Sequence, residues 1–577
     1  MIEVLSLLAK YRKGLGKWLF LNIITAFIGN AMIMINPLII GELINKIEPV
    51  NVDFNLVLRY LILIGSLYVL GSIVVWLSQV FSHKYATGIT ENLREAMFHV
   101  ITNTKMSNID QKQTGDIMAR FSQDIDLIYD ALSHFFINVF QGGTTILFSI
   151  ILMVYLNIWL TLVVVGVVPF IYFYSKITKK KRNERFLKLQ KITGELTAQA
   201  KETFDEKKLI KSYNYEETSK VKFEKYNKDL NEVGRKAYFS ASLNNPTYRV
   251  FNNVAFAMLG LVSILLTING NIITAGLLTS MIMYAAMFSK PFNEYSVLTA
   301  SFMAGRAGTK RVLEIIDFGV EEEYIKFRFE DRATSGNIEF KNVNFGYTKN
   351  RTLITDDNLN VKQGQKVAIV GPTGAGKSTM INLLMRFYDV NSGEIVLNGK
   401  NIKEYNRKSL RLSFGLVLQE PWLFGGTIKQ NLKYGKKDVS DEEIIKAAKR
   451  ANCHDFIVNL KDGYDTVLDD RTNLSVGQKQ LLTIARALVI DPPILILDEA
   501  TSNIDTLMEL RIQKTFNEVM KGRTSFVIAH RLKTITDADI IIVMDKGNIV
   551  EYGNHGKLMS VENGFYKDLY LSQFDDN

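Results

Sequence analysis

Apolar and polar positions follow two different patterns along this chain. The first 310 residues hold long apolar runs with few charges, and the rest alternates short aliphatic runs with charged segments. Six apolar segments lie near 18–44, 57–80, 134–156, 158–178, 247–268 and 277–303. Each is long enough for a helix to cross a hydrocarbon core about 30 Å thick, which takes ~20 residues. The third and fourth meet at Leu156-Asn157, and the fifth and sixth at Asn269-Gly270-Asn271, residues suited to short turns. Ile89, Leu93, Met97 and Ile101 recur every four residues, so the second helix continues beyond its span. Residues 185–211 mix charged and apolar side chains at the same spacing. The pattern breaks near Met106–Gly115 and Tyr213–Glu217, which predicts two turns carried on helical stalks. Further on, VAIV before a Gly-rich turn, LSFGLVL, PILIL and TSFVIA read as strands. The expected architecture is an all-α, six-helix transmembrane domain over 1–310 and a linker over 311–335. A cytosolic α/β domain with a phosphate-binding loop follows over 336–577.

Charge orients the first half. Segments 81–133 and 176–246 contain five and eighteen Lys or Arg, whereas the opposite connections contain only Lys46. Both long loops and both termini are therefore expected in the cytosol. The first apolar run is too long for a signal-peptide core, and further spans follow it. The stretch before it places Lys10, Arg12, Lys13 and Lys17 among aliphatic residues. It suits an amphipathic helix at the lipid interface or a plain cytosolic helix. Arg249, Lys290 and Glu294 lie in or near spans, where a charge faces a cavity or partner, or snorkels. Met281, Met283 and Met287 form an adaptable apolar surface or ordinary packing. The net charge of +10 comes from Lys and Arg crowded beside the spans, so nucleic acid is not an expected partner. One cysteine, Cys453, excludes an intrachain disulfide and fits a reducing compartment as a buried thiol. One Cys and six His without ligand spacing also exclude a zinc site.

The candidate chemistry lies in the second half. VAIVGPTGAGKST reads as strand, Gly-rich turn and helix start, with Gly371, Gly376, Lys377 and Ser378 filling G-x-x-x-x-G-K-[ST]. Glycines let backbone N–H groups approach phosphates, Lys377 supplies a point charge, and Ser378 can ligate magnesium. In PILILDE, Asp498 and Glu499 end a buried strand, where α/β sheets place their ligands. Asp498 suits a metal and Glu499 suits polarising an attacking water. A third strand, TSFVIA, ends at His530, placed to contact a γ-phosphate. Gln419 alone reads only as a loop residue.

Taken in order, these motifs resemble a half-transporter of the ATP-binding-cassette (ABC) family, of the multidrug or lipid exporter type. Tyr347 in FGY matches the adenine-stacking position. Gly371, Pro372, Thr373, Gly374, Ala375, Gly376, Lys377, Ser378 and Thr379 match the Walker A loop. Gln419 matches the Q-loop, LSVGQ (Ser475, Gly477, Gln478) the signature, Asp498 and Glu499 the Walker B end, SNID at 502–505 the D-loop, and His530 the switch histidine. The resemblance implies ATP and Mg2+ as cofactors, with Ser378, Gln419 and Asp498 on the metal and Glu499 and His530 catalytic. It also implies that Met106–Gly115 and Tyr213–Glu217 are coupling helices. In this family two cassettes pair head to tail, and the signature of one closes on the ATP of the other. A chain with one cassette therefore needs a partner. Val476 stands where the usual signature has Gly, and as a β-branched residue it would resist a left-handed backbone. VLDDRTN before it and Asn503 also depart from the usual pattern. These features resemble the catalytic-Glu half of heterodimeric bacterial exporters; a homodimer carrying a tolerated variant is the other option. Largely uncharged spans favour small amphipathic, drug-like, lipid or peptide cargo beside membrane lipid. No peptidase-like region precedes the spans. A non-transporting ATP-gated channel or regulator is the alternative, and an intact Glu499 and His530 speak against it. Importers commonly carry spans and cassette on separate chains.

Overall fold

The computed structural model describes residues 10–47, 53–321, 325–326, 328–348, 351–436, 438–469, 474–499, 506–529 and 535–575. They form two compact units. The first comprises 1–102 and 113–319, and the second 103–112 and 320–577.

The first unit is helical. Long helices run over Gly16–Lys46, Phe54–Asn103, Ile158–Asp205, Glu216–Ser242, Asn244–Ile268 and Ala275–Ile316, and helical residues are continuous over 114–156. Every expected span lies on a helix. By length and apolarity, four helices of the described residues can cross a membrane: Gly16–Lys46, Phe54–Asn103, Thr114–Leu156 and Glu216–Ile268. Among the described residues, the apolar helical stretch of the expected fourth span covers Ile158–Phe170, and the sequence stays free of charge to Ser175. The turn after Leu156 is set by Asn157, whose Oδ1 accepts from Trp159 N at 2.9 Å and Leu160 N at 3.1 Å. Gly270, at φ +87°, makes the other short turn. Of the helical stripe expected at Ile89, Leu93, Met97 and Ile101, the first three are fully buried and Ile101 is partly exposed.

Two expectations shift. The linker expected from 311 begins later, because the last helix of this unit runs to Ile316. The second cytosolic turn lies inside the expected stretch but is shorter: turn residues 213–215 follow a short helix, Lys207–Ser212, and Glu216 already starts the next helix. Tyr213 there is exposed.

Polar side chains hold these helices together where apolar packing gives no direction. Pro37 has no N–H to give to Ile33 O, and Asn36 Nδ2 donates to that oxygen at 3.2 Å instead. Helices Gly16–Lys46 and Ala275–Ile316 cross through small residues. A Cβ on Gly276 would lie 1.9 Å from Gly41 O, and Ser280 Oγ donates to Pro37 O at 2.7 Å. Residues 138–142 widen into a π-turn, and Asn30 Nδ2 donates to Gln141 O there at 2.9 Å.

A second π-turn, Arg120–Asp124, carries two buried charges. Arg311 Nε donates to Asp124 Oδ2 at 2.8 Å. Arg120 Nη1 reaches Glu314 Oε2 at 3.0 Å and Arg311 O at 2.9 Å. Asp116 pairs with Arg120 from its own helix at 3.0 Å. Gly308 lets the backbones approach, since a Cβ there would stand 2.9 Å from Asp124 O. Removing one partner of such a pair strands a buried charge, whereas replacing both does not. Arg311→Met should therefore lower the thermal midpoint of the full chain in lipid nanodiscs, by an equivalent of about 3 kcal/mol or less because Arg311 keeps solvent access. The double variant Asp124→Leu/Arg311→Met should recover most of the loss. An unchanged midpoint in the single variant would count against the clamp.

The second unit is α/β. Its strands are β1 (Ile338–Phe345), β2 (Ile354–Val361), β3 (Lys366–Val370), β4 (Ser392–Leu397), β5 (Lys400–Asn401) and β6 (Phe414–Val417). They continue with β7 (Gly426–Thr427), β8 (Val467–Leu468), β9 (Ile494–Glu499), β10 (Thr524–Ala529), β11 (Ile540–Asp545) and β12 (Asn548–Gly553). The main sheet has the order β12-β11-β3-β10-β9-β6, parallel except for β12, and an antiparallel sheet has the order β2-β1-β4-β5. Alternate residues of the main strands enter two cores. Ala368, Leu495, Leu497, Val527 and Val543 face one; Val367, Ile369, Ile496, Ile528 and Ile542 face the other. Burial on both faces explains why these strands read as continuous aliphatic runs. Cys453 is buried as expected, and burial pushes its thiol up to about 12.

Candidate nucleotide site

The sheet order places the candidate residues side by side. Strands β3, β10, β9 and β6 are parallel neighbours, so their carboxyl ends share one edge. The Gly-rich loop leaves β3, Asp498 and Glu499 end β9, and Gln419 lies just beyond β6. Glu499 pairs with Ala529 in register, the residue before His530. Glu499 is described through its backbone alone. His530 and the SNID segment at 502–505 lie outside the described residues.

The loop conformation is restricted to glycine at several points. Gly371, Gly374 and Gly376 have φ of +149°, +82° and +99°. A Cβ on Gly371 would meet Met544 O at 2.2 Å, and one on Gly376 would meet Gly547 Cα at 3.1 Å. Gly547 N donates to Ala375 O at 2.9 Å, so the β11–β12 turn supports the loop from beneath. Pro372 and Thr373 are exposed at the tip, and Ala375 is buried. Helix Lys377–Leu384 starts directly after Gly376, which leaves its first N–H groups directed into the loop. Lys377 Nζ donates to Gly371 O at 2.7 Å and Pro372 O at 3.0 Å. Burial pulls its ammonium below the ordinary lysine range, and the charge of Asp498 opposes that shift. Lys377 and Asp498 therefore share the same edge. Ser378 is exposed beside them.

Tyr347 follows β1 and is half-exposed, with its hydroxyl 3.1 Å from Thr379 Oγ1. Asn382 Nδ2 also approaches that hydroxyl, at 3.4 Å.

LSVGQ opens helix Val476–Ile490. Ser475 is its N-cap: Gln478 N donates to Ser475 Oγ at 3.2 Å and Ser475 N donates to Gln478 Oε1 at 2.9 Å. Val476 and Gly477 are the first helical residues. Val476 thus needs no left-handed backbone, and its side chain is exposed. The same helix reaches the Gln419 segment. Gln480 Nε2 donates to Leu418 O at 3.3 Å, and Arg486 donates to Trp422 O at 3.0 Å and Asn431 O at 2.9 Å. Gln480, Arg486 and Gly547 escaped the sequence reading because their roles come from long-range backbone contacts.

Residues 19–292 match the ABC transporter transmembrane region family, and residues 354–502 match the ABC transporter family. The chain is 35% identical to the uncharacterized ABC transporter ATP-binding protein YfiC of Bacillus subtilis, over 98% of this chain and 92% of that protein. The chain belongs to the ABC transporter family. It is also 34% identical to a fatty acid ABC transporter ATP-binding/permease protein of Mycobacterium bovis, over 91% of this chain and 83% of that one. A lipid A-core flippase of Pseudomonas aeruginosa is 34% identical over 89% and 85% of the two chains. This ABC transporter thus fuses a multi-pass membrane region to a cytosolic, ATP-hydrolysing cassette in one chain, as bacterial ABC exporters do.

Two of the loop glycines, Gly371 and Gly374, separate space from strain. Gly371→Ala meets Met544 O, whereas a Cβ on Gly374 meets nothing within 4 Å and bears only the left-handed penalty. Gly374→Ala should cost roughly 1–2 kcal/mol. Gly371→Ala should cost more and abolish ATP binding, as read by unfolding midpoint and ATP titration of the full chain. Equal effects would contradict this account of the loop.

Proposed function

We propose that this transporter exports amphipathic or hydrophobic, lipid-like compounds across the cytoplasmic membrane by alternating access driven by ATP. The observation that carries this is the shared sheet edge of Gly371–Thr379 and Asp498 in a chain whose first unit is built of membrane-length helices. Tyr347 stacks on adenine. Backbone N–H groups of the loop and Lys377 hold the phosphates, and Ser378, Gln419 and Asp498 hold Mg2+ directly or through water. Glu499 polarises the attacking water, and His530 contacts the γ-phosphate. Ser475, Gly477 and Gln478 face a nucleotide held by a second half-transporter, because one cassette completes no site alone.

Six helices span the membrane in this reading, with both termini and the cassette cytosolic. Segment 103–112, which packs with the cassette, passes the closure of the paired cassettes to the spans. The turn at Tyr213–Glu217 is the second coupling turn in this reading. A different second chain is favoured by the departures at 467–473, Val476 and Asn503. The ordinary helical backbone at Val476 takes one reason for that choice away, so a homodimer stays as the other form. The fatty acid and lipid A-core transporters among the relatives support a lipid-like cargo; a multidrug range would follow from the same apolar spans.

Glu499→Gln keeps a hydrogen-bonding side chain but loses the base. It should retain Mg-ATP binding, lower hydrolysis by ~10²-fold or more and accumulate the closed pair. ATP turnover equal to wild type in the purified protein would sink this assignment.

A further inference from the structure

Tyr388 has no part in the site as assigned above, yet it joins two of its neighbours. It follows the helix of the phosphate loop, in the stretch Arg386-Phe387-Tyr388-Asp389. Its hydroxyl donates to Asp110 Oδ2 in helix Met106–Asp110. Its ring meets Tyr347 at 90° with centroids 5.0 Å apart, and Phe345 at 5.8 Å. Tyr347 meets Phe345 at 5.0 Å and reaches Thr379. A path of direct contacts therefore runs from Asp110 through two rings to the phosphate loop.

The surroundings leave Tyr388 little freedom. Arg386, at φ +52°, donates to Asp389 Oδ1 at 2.9 Å and to Tyr405 O at 3.1 Å. Arg407 is buried and pairs with Asp389 at 3.1 Å and Glu321 at 3.0 Å. Glu321 N donates to Asn103 O at 2.8 Å, so the start of segment 103–112 hangs on the same network. Burial and the charge of Asp110 raise the Tyr388 phenol further, which keeps it a proton donor. Edge-to-face rings and a hydrogen bond to a carboxylate are both directional. A tilt of the Tyr347 ring must therefore shift Tyr388 or break one of these contacts.

We propose that Tyr388 is a positioning residue that fastens the base-stacking ring of Tyr347 to Asp110, so that a base settling on Tyr347 is felt directly by segment 103–112. This rests on the nucleotide site proposed above. A triphosphate without a base would fill the phosphate loop and leave this path unloaded.

Hydrogen exchange on the full chain in lipid nanodiscs tests it, with Mg-ATP and with Mg-tripolyphosphate. ATP should slow exchange in both 371–379 and 103–112, and tripolyphosphate in 371–379 alone. Tyr388→Phe keeps the ring cluster and loses the hydroxyl. It should keep ATP protection at 371–379 and lose about ten-fold of the slowing at 103–112, the worth of one hydrogen bond to a charged acceptor. Wild-type protection at 103–112 in Tyr388→Phe, or equal protection there by tripolyphosphate, would overturn the proposal. So would wild-type protection at 371–379 without any at 103–112. Absence of ATP protection at 371–379 would instead defeat the nucleotide site itself, and this inference with it.

Discussion

Because a Cβ at Gly371 would fall 2.2 Å from Met544 O, the turn between β3 and the following helix exists only with glycine. That turn sets much else. It lets Gly547 bond to Ala375 O and brings Lys377 onto the edge that Asp498 shares. It also fixes Thr379 where Tyr347 can reach it. The parallel strands supply the edge, and the antiparallel sheet supplies Tyr347 at the end of β1. A phosphate site of this kind needs no deep cavity. It needs N–H groups and one cation held in place before the anion arrives, which lowers the cost of ordering them on binding.

The helical unit meets the opposite difficulty. In hydrocarbon, apolar side chains gain little by facing each other rather than lipid, so packing alone does not choose a register. Small residues and buried polar groups choose it here. Gly41 and Gly276 set one crossing, Asn36 repairs the bond that Pro37 removes, and Asn30 reaches the π-turn at Gln141. The paired charges of Arg120, Asp124, Arg311 and Glu314 fix another contact outside the apolar spans. Such groups give little net stability but make wrong registers costly, because a slip would leave them unpaired.

Local features were legible in the sequence, and long-range ones were not. The Gly-rich loop, the aliphatic strands and the Asn157 turn are written in adjacent residues, and the structure places them where the pattern does. The fourth apolar segment stays free of charge from Ile158 to Ser175, whereas Lys290 and Glu294 interrupt the sixth. A boundary moved where charge hides helicity, at 311–316. Val476 stands where the usual signature has Gly, yet Ser475 and Gln478 make this stretch a capped helix start that accepts a β-branched residue. Tyr388, Asp110 and the Arg120 clamp join residues hundreds of positions apart or carry no periodic signal, so no window of sequence reveals them.

The central claim is that ATP hydrolysis moves an amphipathic molecule across the bilayer. It is tested most directly with the purified assembly in proteoliposomes, by following a fluorescent fatty-acyl lipid from one leaflet to the other. Translocation should occur with Mg-ATP and stop when magnesium is chelated or a non-hydrolysable ATP analogue is supplied. Translocation at the same rate without nucleotide, or rapid ATP hydrolysis with no translocation of any amphipathic probe, would contradict it.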